Sequence, residues 1–239
     1  GTGKTYFLLW MALNAFKKEN KNIAFYSPEM SVKQCGRRLL ALDTSTPASF
    51  IKLGKVSHFG RQNMIAKIDN LFEDRENSFN LIQGSLSTTV EDLSLLCQEL
   101  KPDVVYVDGA YLLRTRGSRS SQKWERVAEV AEYLKSMAID FDISIFEAYQ
   151  FNRKGKKNAD IGDIAFSDVI GQLASIVLGI EPDDGGLADS WDCKEYKILK
   201  LIKGREGERG KLQILYDMMR MRFTQTSVLE GENQFNTEG

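Results

Sequence analysis

The chain opens on Gly1-Thr2-Gly3-Lys4-Thr5, and few five-residue strings restrict a fold more. They form the second half of the pattern Gly-x-x-x-x-Gly-Lys-Ser/Thr, in which a strand turns through a glycine-rich loop into a helix. Backbone N–H groups of such a loop point inward and cradle phosphate oxygens, an approach that glycine permits. The helix that follows adds the positive end of its dipole. Lys4 is expected to reach the β- and γ-phosphates of a nucleotide, and the Thr5 hydroxyl to ligate Mg²⁺. The pattern's first glycine and its feeding strand would lie before Gly1. The chain therefore reads as one domain, residues 1–239, cut inside its own phosphate loop, and in that form it is expected to bind ATP weakly.

The residues that follow suit such a loop. Phe7, Leu8, Met11, Ala12, Ala15 and Phe16 recur at helical spacing, with Lys17 and Lys18 in the last turn. Ile23 to Ser27 is a short apolar strand, stopped by Pro28 and followed by Glu29 at its C-terminal end, where ligands collect in open α/β sheets. A helix over Ser31–Leu42 follows, with Ser31 as its cap. Residues 43–80 hold polar helices and turns in no readable order. Leu81-Ile-Gln has the look of a short strand, and Thr89 to Leu100 of a helix. Val104-Val-Tyr-Val-Asp108 is apolar on both faces, as a buried parallel strand is, and ends on a carboxylate placed to hold Mg²⁺. Trp124 to Met137 reads as a helix. Ile143 to Gln150 reads as the next strand, its terminal amide placed to sense a γ-phosphate. Strands over 174–180, 196–203, 210–216 and 220–226 follow, the last three as an antiparallel meander with short turns.

Composition narrows the field. Lys and Arg total 32 against 33 Asp and Glu, and no run of about 18 apolar residues exists, so neither a uniformly basic protein nor a membrane span is expected. No basic-then-apolar signal opens the chain. Cys35, Cys97 and Cys193 are far apart and His58 is the sole histidine, which argues against zinc and against Ser-His or Cys-His catalysis. His58 reads as a surface-turn residue, and reduced thiols suit a cytoplasmic protein.

Two loops break the neutral balance. Arg114-Thr-Arg116-Gly-Ser-Arg119-Ser-Ser-Gln-Lys123 carries four positive charges and no acid, and Arg153-Lys154-Gly-Lys156-Lys157 carries four in five residues. Flexible basic loops suit phosphate contacts that are blind to sequence, and the lack of aromatics argues against base stacking.

In this order the motifs resemble the C-terminal ATPase domain of the DnaB-type replicative DNA helicases, within the RecA-like superfamily. The resemblance rests on Gly1–Thr5, Ser27-Pro-Glu29-Met30, Arg37-Arg38-Leu39-Leu40-Ala41, the strand ending at Asp108, Tyr149-Gln150-Phe151-Asn152-Arg153, and Lys203-Gly-Arg205-Glu-Gly207. It implies an α/β, RecA-like P-loop NTPase whose mostly parallel central sheet is flanked by helices. It implies a catalytic base at Glu29, a γ-phosphate sensor at Gln150, and a basic pair, Lys203 and Arg205, reaching a neighbouring subunit's nucleotide. Such an arginine finger is worth roughly 10³–10⁵ in rate. It also implies the substrate ATP with Mg²⁺, a hexameric ring, single-stranded DNA gripped by both basic loops, 5′→3′ polarity, and primase and helicase-loader partners.

The sequence departs from that family twice. Tyr111 stands where glutamine is usual, three residues after Asp108, and Gly171-Gln172-Leu-Ala-Ser175 stands where an acidic stretch is usual. Such departures suit a divergent lineage, for example a viral one. Two other readings stay open: a RecA/RadA-like recombinase that coats DNA, and a non-catalytic ring that holds nucleotide as a structural ligand.

Overall fold

The computed structural model describes residues 3–73, 75–118, 122–150, 168–183, 194–206, 208–217, 219 and 222–230. The chain divides into two compact units. One holds Lys4–Tyr149 with Met219–Met221, and the other holds Gly1–Gly3, Gln150–Met218 and Arg222–Gly239.

The first unit is a parallel sheet between helices. Its strands are β1 (Ile23–Ser27), β2 (Phe79–Gln83), β3 (Val104–Val107) and β4 (Ser144–Glu147), in the order β2-β1-β3-β4. The period-2 alternation of the strands splits the core into two layers. Ala24, Tyr26, Val105 and Val107 face α5 (Val90–Leu100) and α6 (Lys123–Asp140), where Leu93, Val130 and Leu134 cover them. Ile23, Phe25, Val104 and Tyr106 face α1 (Lys4–Lys18) and α2 (Val32–Thr44), through Leu8, Leu9, Ala12, Phe16 and Cys35. Phe25, Tyr106 and Phe146 stack across three neighbouring strands, with ring centroids 6.2 and 5.0 Å apart.

Local chemistry sets the helix starts. Ser31 and Thr89 cap α2 and α5, each with a reciprocal bond from the third helical residue, Gln34 or Asp92. Residues 43–80, unreadable in sequence, fold into α3 (Ala48–Leu53), α4 (His58–Phe72) and the start of β2. His58 is the first residue of α4, capped by Ser57, and not part of a free turn.

The second unit holds α7 (Asp168–Leu173) and an antiparallel sheet of β5 (Val177–Pro182), β6 (Lys194–Lys203), β7 (Gly210–Asp217) and β8 (Arg222–Glu230), in chain order. The last three form the expected meander, and β5 joins them as a fourth strand. Tyr216 is buried and stacks on Phe223 at 4.6 Å.

Candidate active site

Adjacent parallel strands β1 and β3 run in register, with Tyr26 opposite Val107. Their C-terminal ends therefore deliver Ser27, Glu29 and Asp108 to one edge of the sheet, where α1 also begins with Lys4 and Thr5. The Thr5 hydroxyl donates to both carboxylate oxygens of Asp108, at 3.0 and 2.9 Å. Ser27 Oγ donates to the same carboxylate at 3.3 Å and accepts from the Met30 N–H at 3.2 Å. Asp108 is 2% exposed. Burial pushes its carboxyl above the ordinary range, Thr5 and Ser27 hold it down, and Glu29 adds repulsion. Lys4 is half-buried; burial lowers its ammonium while Glu29 and Asp108 support the charge.

This donor set suits a hard dication. A hydroxyl and a buried carboxylate in contact are oxygen ligands that Mg²⁺ takes along with water and phosphate oxygens. Among the described residues no group of three or more His, Cys, Asp or Glu is placed to hold a metal ion. Burial pushes the thiols of Cys35 and Cys97 up to about 11, far from a nucleophile's range.

Glu29 is exposed, and its side chain lies over the backbone of Gly109. A Cβ on Gly109 would stand 3.4 Å from Glu29 Oε1, and the φ of +94° there favours glycine in any case. Glu29 Oε1 accepts a hydrogen bond from the Tyr111 hydroxyl. Tyr111 belongs to the 3-10 turn Ala110–Leu112 that follows Asp108. Two contacts were not legible: Ser27 enters the sequence reading as the first residue of the Ser-Pro-Glu-Met motif, with no role toward Asp108, and Tyr111 only as a departure from glutamine.

Gly1 and Thr2 lie outside the described residues. Gly3 has φ +90°, and a Cβ there would meet Tyr216 Cε1 at 3.2 Å. The expected strand to Gln150 is shorter: β4 ends at Glu147, the Ala148 N–H makes one more sheet-like bond to Val107, and Gln150 is an exposed residue beyond it. The misreading has a simple source, since Ala148 and Tyr149 prolong the apolar run past the last paired residue. In the second unit, Lys203 Nζ donates to the carbonyls of Gly171 and Gln172, at 2.9 and 3.0 Å, and Arg205 donates to Ser175 Oγ at 3.4 Å. The basic pair thus rests on the segment where the family resemblance carries carboxylates.

The first basic loop is not acid-free in space. Arg116 pairs with Asp92, its backbone N–H donates to Glu91 at 3.0 Å, and Thr115 donates to Glu129 at 2.9 Å. Arg114 anchors the loop through its carbonyl, which accepts from the Val90 N–H, while its side chain is exposed. Arg119 and all of Arg153, Lys154, Lys156 and Lys157 lie outside the described residues, as does the side chain of Lys123, the first residue of α6.

A family model described as the DnaB-like helicase C terminal domain matches residues 1–225. The chain is 27% identical over 222 residues to the "Replicative DNA helicase DnaB" of Geobacillus stearothermophilus, covering 90% of this chain and 48% of that one. It is 25% identical over 222 residues to the "Replicative DNA helicase DnaC" of Bacillus subtilis, with the same coverage of 90% and 48%. Among solved structures, one of an ATPase domain matches with a TM-score of 0.81 at 20% identity, over 95% of this chain and 82% of that one. A DnaB-like replicative helicase, solved with regard to its interactions with primase, matches at 0.79 and 20% identity, over 93% and 56%. These structural likenesses establish the RecA-like fold. The chain spans about half the length of the curated relatives it matches.

Proposed function

From the premise that this chain belongs to the DnaB-like helicase C-terminal domain family, we propose that it is the ATP-hydrolysing motor domain of a replicative DNA helicase. The observation that carries this reading is the cluster at the ends of β1 and β3: Lys4, Thr5 and Asp108 in mutual reach, with Glu29 beside them. Lys4 and the loop N–H groups bind the β- and γ-phosphates of ATP. Thr5 and Asp108 hold Mg²⁺, which when bound neutralises charge that develops on the phosphates. Glu29 accepts the proton of the attacking water and orients it. Ser27 fixes Asp108 from the strand side.

Gln150, Lys203 and Arg205 take the roles the family gives their positions. Gln150 senses the γ-phosphate, and the basic pair reaches a neighbour's nucleotide in a ring, proposed as a hexamer. Single-stranded DNA is held by Arg114, Arg116, Arg119 and Lys123, and by Arg153, Lys154, Lys156 and Lys157. Successive hydrolysis events draw one strand through in the 5′→3′ direction. Primase and a loader are the expected partners, in the cytoplasm of a bacterial or phage-infected cell. Among the described residues no helix is long and apolar enough to cross a membrane.

Unwinding of a forked duplex by the protein at its full natural length tests this reading. ATP-dependent release of the labelled strand is expected. Filament formation with strand exchange and no release would instead favour a recombinase.

A further inference from the structure

We propose that Tyr111 is a positioning residue for Glu29, and that it holds the carboxylate where it can act on the attacking water. Three observations meet there. The Tyr111 hydroxyl donates to Glu29 Oε1, a contact between residues 82 positions apart in the chain. Glu29 is an exposed side chain on the short segment between β1 and α2. Left alone, such a side chain samples several rotamers, and holding it in one reduces the entropy lost at each turnover. The backbone beneath it is Gly109, the residue between Asp108 and the turn that carries Tyr111.

The geometry also divides the labour between the two carboxylate oxygens. Oε1 is taken by the phenol, which leaves Oε2 to accept the water's proton. Tyr111 sits in the turn that begins directly after Asp108, so the metal-binding carboxylate and the donor to the base are fixed by one short piece of backbone. The glutamine expected at this position from the resemblance also carries an N–H donor, whereas phenylalanine carries none.

This inference rests on Glu29 being the base, so the test separates the two. In the full-length protein, ATP hydrolysis is measured in steady state and in single turnover for Tyr111→Phe, Glu29→Gln and the double variant. A hydrogen bond to a charged group corresponds to roughly 10- to 100-fold in rate. Tyr111→Phe is expected to lower kcat by about that factor with KM for ATP within about twofold. The double variant is expected to match Glu29→Gln alone, since the donor then has no base to position. Tyr111→Phe at the unmodified rate, or a loss that multiplies with that of Glu29→Gln, would overturn the positioning role while leaving Glu29 as base. Glu29→Gln with full turnover would overturn the base assignment itself, and Tyr111 with it. A fall in ATP affinity in Tyr111→Phe as large as the fall in kcat would mark a structural role and also overturn the proposal.

Discussion

Thr5 and Asp108 stand 103 residues apart in sequence, and the hydroxyl of one bonds both carboxylate oxygens of the other at 3.0 and 2.9 Å. The contact ties the start of α1 to the end of β3, and it brings together the two groups that hold Mg²⁺ in the proposed mechanism. Asp108→Asn keeps one acceptor oxygen, for Thr5, and removes the charge, with an NH2 group in place of the oxygen that Ser27 faces. Because burial already disfavours that charge, the variant is expected to melt at or above the original temperature. Its Mg²⁺-dependent hydrolysis is expected to fall by about 100-fold, the scale of a lost metal contact. A Mg²⁺ titration of hydrolysis, paired with a thermal melt, reads both.

Gly84 is a test of packing. A Cβ there would overlap the hydroxyl of Tyr26 and its ring carbon Cζ, and that ring is fully buried between sheet and helices. Gly84→Ala is expected to destabilise the chain by about 1–3 kcal/mol, as overpacking does. Chemical denaturation of the two proteins measures the difference.

Arg114 and Arg116 are expected to separate in DNA binding. Arg116 is already paired with Asp92 and held by Glu91, so its charge is partly spent within the chain. Arg114→Ala is expected to weaken single-stranded DNA binding several-fold and to lower the salt slope by about 0.7, one phosphate contact. Arg116→Ala is expected to do less. Asp92→Asn keeps an acceptor for capping α5 and frees Arg116, so affinity is expected to rise. Titrations of a labelled oligothymidine at several salt concentrations check all three.

Glu147 supplies a pH signature in the folded chain. Burial pushes its carboxyl from the ordinary 4.5 up to about 7, while Tyr149 donates to it at 2.5 Å and opposes the shift. Between those values the folded chain binds the extra proton and the unfolded chain does not. On this group's account stability is therefore greatest at low pH and falls as pH rises from 4.5 through 7. Glu147→Gln keeps an acceptor for Tyr149 and removes the titration. It is expected to gain on the order of 1–3 kcal/mol at about pH 8 and nothing at about pH 4. Denaturation midpoints across pH show whether the two curves converge at the acid end.

Much of the first unit was legible because its elements are amphipathic or wholly apolar. The helical spacing of Phe7 to Phe16 and the unbroken runs of β1 and β3 belong to buried elements. α4 buries no residue fully, so its sequence carries no clear stripe and its place could not be read. β5 joined the antiparallel sheet because pairing depends on partners that alternation does not name. Within the site, Lys4, Thr5, Glu29 and Asp108 were legible because each follows a strand or loop in a fixed motif. The Tyr111–Glu29 bond and the acids around Arg116 were not, since each joins segments far apart in the chain and brought together only by the fold.

In the proposed mechanism Glu29 activates the attacking water of an ATP-driven motor. The most direct measurement is the ATP turnover and fork unwinding of Glu29→Gln in the full-length protein, alongside its affinity for ATP. ATP binding within a few-fold of the original, with hydrolysis and unwinding lower by about 100-fold or more, is the expected result for loss of a positioned base. Turnover and unwinding at the original rate would contradict it.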